Sequence, residues 1–285
     1  MRQQGFTLIE MSIVLVIIGL IVGGVLVGQN LIAAAGVRAT ISQIEKYNSA
    51  VNTFRTKYNN QLPGDIDAAD AAQFGFFARG TLPGQGDGNG ILEGYESGAG
   101  THSGLDEAAG ETVMFWVDLS TAGLIEGGFN TATVATNPTT IPATALGSYF
   151  PAGKLGRGNY VYVFSGGYTA SDGINYFGLA AVYTVDFGRQ LESNDGVSVS
   201  EASAIDTKID DGLPMSGNVM AQFLRGAAVR WTITSGAAGP PYTTATQGYS
   251  GSCYDNGNVG GATQQYSLTQ KGGSGVNCAL SFRFQ

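Results

Sequence analysis

An apolar run near the start of the chain constrains it more than any other feature. From Phe6 to Val27 the sequence is almost wholly apolar, and Glu10 is the one charged residue between Arg2 and Arg38. About twenty consecutive apolar residues is the length a helix needs to cross a bilayer core, and the basic Arg2 ahead of the run favours a cytoplasmic start. The segment reads as a transmembrane helix. A secretory signal peptide shares the basic start and apolar centre, and Gly23-Gly24 and Ala33 to Gly36 offer small residues like those of a cleavage site. Two details disfavour it: the run exceeds the roughly 7–15 apolar residues of a signal peptide, and a carboxylate sits inside it. An ionisable group at membrane depth costs roughly 2.5–3.5 kcal/mol on insertion scales, so Glu10 demands a partner.

Gly5-Phe6-Thr7-Leu8-Ile9-Glu10, followed by the apolar run, resembles the N-terminus of type IV prepilins and of the pseudopilins of type II secretion. The resemblance covers about residues 1–60. It implies that a prepilin peptidase cuts between Gly5 and Phe6 on the cytoplasmic side and that Phe6 is N-methylated. It implies further that Glu10 pairs with the Phe6 ammonium of a neighbouring subunit during filament assembly, which removes the penalty of an isolated charge. The corresponding layout is a leader at 1–5, a long helix at 6–60 (6–28 in the membrane or filament core, 29–60 amphipathic) and a head at 61–285. Other pilin subunits and an inner-membrane assembly platform are the implied partners. The implied location is the inner membrane, head in the periplasm, and then the filament.

The residues beyond the apolar run support that layout. Val37, Ile41, Ile44, Tyr47, Val51, Phe54 and Tyr58 recur at steps of three and four, one apolar stripe on a helix. Asn59-Asn60-Gln61-Leu62-Pro63-Gly64 supplies stop signals. A helix from Phe6 to Asn59 spans about 80 Å at 1.5 Å per residue, far more than a bilayer requires, so its outer half must pack on something else. Gly19 and Gly23, and Gly24 and Gly28, form small-xxx-small pairs that let helices approach closely. Each also weakens the helix by up to about 1 kcal/mol, so we expect local stretching there on assembly.

The head is predicted as α+β. A helix is expected over Asp106 to Gly123, a second from a Ser198/Glu201 capping box to Gly212 with Ala202, Ile205 and Ile209 on its apolar face, and strands at Tyr160–Phe164, Tyr176–Val185, Val229–Thr234 and Leu280–Phe284. The overall fold class is a long N-terminal hydrophobic helix packed at its outer half against a head with an antiparallel sheet. Cys253 and Cys278 are the only cysteines. An exported head favours a disulfide over two buried thiols, and many type IV pilins close a C-terminal loop in this way.

Gln85-Gly86-Asp87-Gly88-Asn89-Gly90-Ile91-Leu92-Glu93-Gly94-Tyr95-Glu96 sets oxygens at calcium-loop spacing. Asp87, Asn89, Ile91 through its carbonyl, Glu93 and Glu96 fall at the third, fifth, seventh, ninth and twelfth places, around the turn at Gly90. Gln85 stands where that motif requires Asp, so a metal-free turn is the competing reading. Asp206, Asp210 and Asp211 form a second acidic group at the predicted end of the later helix, where the helix dipole disfavours anions. Water and Lys208 can offset this, or a cation or an Arg can.

Composition excludes several functions. Fourteen Lys and Arg against 22 Asp and Glu give a net charge of −8, the wrong sign for a surface that wraps nucleic acid. Only 13% of residues are charged, low for a soluble domain and fitting for a chain that lives in a bilayer and then in a polymer. One His, His102, in an expected loop, and two Cys leave no His-rich or Cys-rich metal site. No Walker A, Gly-x-Ser-x-Gly or His-Glu-x-x-His motif occurs. The sequence therefore predicts a non-catalytic filament subunit that needs no cofactor other than a possible calcium ion. The alternatives are a secretion pseudopilin and, with less support, an exported enzyme anchored by one helix.

Overall fold

The computed structural model describes residues 7–95, 102–134, 140–166, 172–186, 190–226, 228–232, 251–256 and 263–284. One helix, α1 (Leu8–Lys57), opens the fold. It is unbroken through Gly19, Gly23, Gly24 and Gly28, and a Cβ added at any of these would meet nothing within 4 Å. Its two halves have different environments. Residues 8–35 lie bare of any other part of the chain apart from a partly covered Gly28, whereas Val37, Thr40, Gln43, Ile44, Tyr47, Ala50, Val51 and Phe54 are buried. The predicted stripe is thus the packed face, with Ile41 and Tyr58 partly covered at its margin. Beyond Tyr58 the chain turns through Asn59 and Asn60, both in the left-handed region, a conformation Asn tolerates better than most residues.

A short helix, α2 (Ala68–Phe74), follows. Its signals were present in the sequence: Asp67 caps the amides of Ala69 and Asp70, and Gly75 ends it in the left-handed region. The hairpin of β1 (Gly94–Tyr95) and β2 (His102–Ser103) leads to α3 (Glu111–Thr121). This corrects two expectations. His102 belongs to a strand and not to a loop, because its backbone pairs with Tyr95. The helix expected from Asp106 begins at Glu111, because the preceding backbone is engaged elsewhere: Ala109 accepts the Tyr95 amide, Asp106 bridges to Gln190, and Gly110 bridges to Gly94.

The sheet elements are β3 (Ile141–Pro142), β4 (Asn159–Ser165), β5 (Asn175–Val185), β6 (Leu191–Asn194) and β7 (Val197–Ser198). Helix α4 (Val199–Ile209) comes next and packs against α1. Then follow β8 (Val219–Met220), β9 (Gln222–Leu224), β10 (Val229–Trp231), β11 (Tyr254–Asp255), β12 (Gln265–Tyr266), β13 (Val276–Cys278) and β14 (Leu280–Arg283). The main sheet is antiparallel and six-stranded, with β5 as its hub. The first part of β5 pairs with β4 and β14, and its last part with β6 and β3. The expected strands correspond to β4, β5, β10 and β14, but β10 ends at Trp231 and β14 at Arg283, so Thr232 and Phe284 fall just outside them; Ile233 and Thr234 lie outside the described residues.

The core lies where α1 and α3 meet this sheet. Trp116 of α3 packs edge-on to Tyr47 of α1 at 5.0 Å, and Phe177 of β5 stacks on Phe284 at 4.2 Å. At the C-terminal end a disulfide joins Cys253 to Cys278, tying the β11–β12 hairpin to β13.

Gly178 decides how β4 and β5 fit. Tyr162 lies opposite it, and a Cβ there would stand 2.2 Å from the Tyr162 ring. Gly178→Ala is therefore expected to lower stability by about 1–3 kcal/mol through overpacking, read as a lower denaturant midpoint with an unchanged slope.

Candidate functional site

Two regions of the described structure carry unusual chemistry. The first is the start of α1. Thr7 is its N-cap, and the Glu10 carboxylate accepts both the Thr7 amide at 2.8 Å and the Thr7 hydroxyl at 2.9 Å, while the Glu10 amide donates back to Thr7 Oγ1. This capping box gives Glu10 a partner within its own chain. Around and beyond it the helix offers Leu8, Ile9, Leu15, Leu20, Leu31 and Ile32, all more than 60% exposed. This helix is long and apolar enough to cross a membrane. Gly5 and Phe6, the expected processing residues, lie outside the described residues.

The second region is built around two buried carboxylates that sequence reasoning missed. Asp65 follows the turn at Pro63-Gly64, and Glu111 opens α3; each is only 1% exposed. The glycine-rich loop folds over them. Gly86 donates its amide to Glu111 Oε1 at 2.8 Å, Gly88 to Asp65 Oδ1 at 2.8 Å, Gly90 to Asp65 Oδ2 at 2.7 Å, and Glu93 to Glu111 Oε2 at 2.9 Å. Leu92 donates to Asn175 Oδ1 at 2.9 Å, and the Asn175 amide group returns a bond to the Gly90 carbonyl. Gly86, Gly88 and Gly90 all have positive φ. That backbone turns alternate amides to one side, making a concave anion-binding nest.

Asp118 holds the scaffold from the same face of α3, two turns beyond Glu111. It accepts the Gly64 amide at 2.6 Å and pairs with Arg79 at 2.5 Å, both side chains fully buried. The stretch carrying Asp65 and the stretch leading into the loop are thereby fixed to one helix.

Asp87 completes the cluster: carboxylate oxygens of Asp65, Asp87 and Glu111 lie within 4.8 Å of one another. Among the described residues none of the three forms an ion pair with Lys or Arg. Burial is the main force raising the Asp65 pKa, to about 7, with the Asp87 charge and a hydrogen bond to Asp87 adding to it and the Gly88 and Gly90 amides opposing it. Burial first, then Asp65, pushes Glu111 well above the usual carboxylate range. Glu107, fully buried with neither carboxyl oxygen hydrogen-bonded, is raised for the same first reason.

Of the residues expected to hold calcium, Asp87 is in this cluster. Asn89 Oδ1 accepts the Ile91 amide at 2.7 Å, and Glu93 contributes its backbone amide to Glu111. Glu96 lies outside the described residues. The carboxylates that lie grouped with Asp87 are Asp65 and Glu111, from two other segments of the chain.

The second acidic group is held by the loop that follows its helix. Asp206 accepts the Tyr266 hydroxyl at 2.7 Å and the Gly212 amide at 3.0 Å, Asp210 accepts the Asn218 and Val219 amides, and Asp211 accepts the Leu213 amide and the Ser216 hydroxyl. Loop amides and hydroxyls thus supply the offset expected of Lys208 or a cation. The Ser198/Glu201 capping box is present, reinforced by an ion pair from Arg157. Ile209 departs from the expected buried face and is 37% exposed.

Residues 1–26 match the family model for the prokaryotic N-terminal methylation motif. This is the type IV pilin and pseudopilin signal. No curated protein and no solved structure matches the chain. The matched signal thus ends within the bare half of α1 and stops short of the head that carries the carboxylate nest.

The nest has a pH signature. The folded pKa of Asp65 lies near 7, above an unfolded value of about 3.9, so the folded head binds the extra proton. The stability this provides is fully present below about pH 4 and is lost as pH rises through about 7. Glu111, also raised, acts in the same direction. Glu201, whose pKa is lowered, loses its contribution only in more acidic solution. The melting midpoint is expected to fall by at least about 4 °C between pH 5 and pH 8. Asp65→Asn should lower the midpoint at pH 5 and reduce that fall, because an amide nitrogen would face the Gly88 or Gly90 N–H.

Proposed function

We propose that this chain is a structural subunit of a bacterial type IV pilus-like filament, cleaved by a prepilin peptidase after Gly5, methylated at Phe6 and polymerised through α1. One observation carries the reading: the part of α1 that bears the methylation motif is apolar apart from Glu10 and Ser12, and its described residues are exposed along its whole length. Such a surface is stable only in lipid or against other apolar helices. The glycines at 19, 23, 24 and 28 agree, since nothing within the chain requires a small residue at those positions, yet each weakens the helix. Helix-to-helix approach between subunits is the compensating gain.

In this reading the subunit first sits in the inner membrane with its head in the periplasm, and the assembly platform then lifts it into a filament. Glu10 starts with Thr7 as its partner and exchanges it for the Phe6 ammonium of a neighbouring subunit. The head acts on no external substrate in this reading and supplies the filament's surface. A secretion pseudopilus uses the same processing and helix, so genes encoding an outer-membrane secretion channel beside this one would favour that alternative. We also propose the Asp65, Asp87 and Glu111 carboxylates as the place where calcium would be held in this head. A higher melting midpoint in excess calcium than in chelator at pH 8 supports that assignment, and an unchanged midpoint removes it.

Mass analysis of protein recovered from the cell envelope tests the main reading. The expected mature chain begins at Phe6 and carries one added methyl group; any other N-terminus overturns the processing claim. Glu10→Ala is expected to abolish filaments while leaving the disulfide and the protease resistance of the head intact, because Glu10 contacts nothing in the head.

A further inference from the structure

We propose that the Asn89–Gly90 pair is a self-modifying site, at which the folded loop accelerates conversion of Asn89 to aspartate and isoaspartate through a cyclic imide. The groups this reaction needs are assembled around one peptide unit. The attacking atom is the Gly90 backbone nitrogen, and glycine places no side chain in the way of the closing ring. That nitrogen's proton already points at a base, since the Gly90 N–H donates to Asp65 Oδ2 at 2.7 Å. The oxygen that gains charge, Asn89 Oδ1, accepts the Ile91 amide at 2.7 Å, the role of an oxyanion-hole donor. The leaving nitrogen, Asn89 Nδ2, donates to Asp87 Oδ2 at 3.2 Å, and the Asn89 amide donates to Asp87 Oδ1 at 3.1 Å, which holds the side chain beside its own backbone. Gly88 and Leu92 are anchored on either side, so the peptide unit and the base beside it are held in a fixed relation, which limits the freedom lost on closing the ring. Asn89 is exposed, which admits the water needed to finish the reaction.

The chemistry balances without any further reagent. The Gly90 nitrogen bonds to Asn89 Cγ as its proton passes to the Asp65 carboxylate, and the C–O electron pair moves onto Oδ1. The Cγ–Nδ2 bond then breaks, the nitrogen keeps that electron pair, takes the proton back from Asp65 and leaves as ammonia. One water opens the imide at either carbonyl, giving aspartate or isoaspartate. Asp65 is regenerated, and nothing is oxidised or reduced. The product places another carboxylate beside Asp87, and the isoaspartate form adds a methylene to a backbone whose amides at 88, 90 and 92 are in register with buried acceptors. Conversion therefore loosens the nest in protein that has aged.

The test is peptide mass spectrometry of the full-length protein in detergent, incubated at neutral pH either folded or unfolded in denaturant. Asn256-Gly257 is the same dipeptide elsewhere in the chain and reports the intrinsic rate when the protein is unfolded. The expected result is conversion of Asn89 at least about a hundredfold faster in the folded protein than in the unfolded one, the lower end of what a positioned base contributes. A folded rate equal to or below the unfolded rate overturns the proposal, and this comparison needs no variant. Asp65→Asn, which removes the base, and Ile91→Pro, which removes the N–H donor, act on opposite ends of the reacting group. Each is expected to bring the folded rate to or below the unfolded one, and a variant that stays folded and keeps the acceleration refutes the role assigned to its residue.

Discussion

The fold depends on the burial of one helical stripe. Val37, Ile44, Tyr47, Val51 and Phe54 put the outer half of α1 into the same apolar cluster as α3 and β5. Burying side chains of this size contributes about 1.5–3 kcal/mol each, and the rings of Tyr47, Trp116 and Phe177 meet at edge or tilted angles. Because the helix is continuous, fixing its outer half also fixes the direction in which the bare half leaves the head. The head is in this sense a stop on one end of an apolar rod. Among the described residues the rod's remaining surface meets no partner from the rest of the chain, which fits membrane anchoring and is the ground of the filament role proposed above.

The carboxylate nest follows a different logic. Burying a carboxylate without a cation is costly, and the fold offsets the cost with backbone amides and protonation instead of a salt bridge. Asp65 and Glu111 organise the loop by accepting its amides in pairs, while Asp118 and Arg79 lock the surrounding segments to α3. Glycine at alternate positions, each with positive φ, makes this possible. The acidic group at the C-terminal end of α4 uses the same device, with loop amides capping Asp206, Asp210 and Asp211.

Local patterns were legible wherever local physics sufficed. The stripe from Val37 to Phe54, the Ser198/Glu201 capping box and the aromatic, β-branched runs of β4, β5 and β14 each announced their element, because spacing and side-chain shape act over a few residues. The start of α3 is not legible locally, because Asp106 to Gly110 has helical composition but spends its backbone bonds on β1 and Gln190. The loop at 85–96 was recognised as chemically unusual, yet its partners were assigned from within the loop. The side chains that organise it, Asp65 and Glu111, lie at sites whose neighbours in sequence mark them only as a turn and a helix start.

The sequence by itself determined that this chain has an apolar N-terminal helix with a methylation signal, too long for a bilayer alone and carrying a carboxylate at depth. Those facts rest on hydrophobicity, length and charge, which need no fold to evaluate. Only the tertiary structure decided that the head buries Asp65 and Glu111 beneath the glycine loop, pairs Cys253 with Cys278, and leaves residues 8–35 without a covering partner from the rest of the chain. Burial is a property of what surrounds a residue, and the atoms that surround these lie on segments distant along the chain.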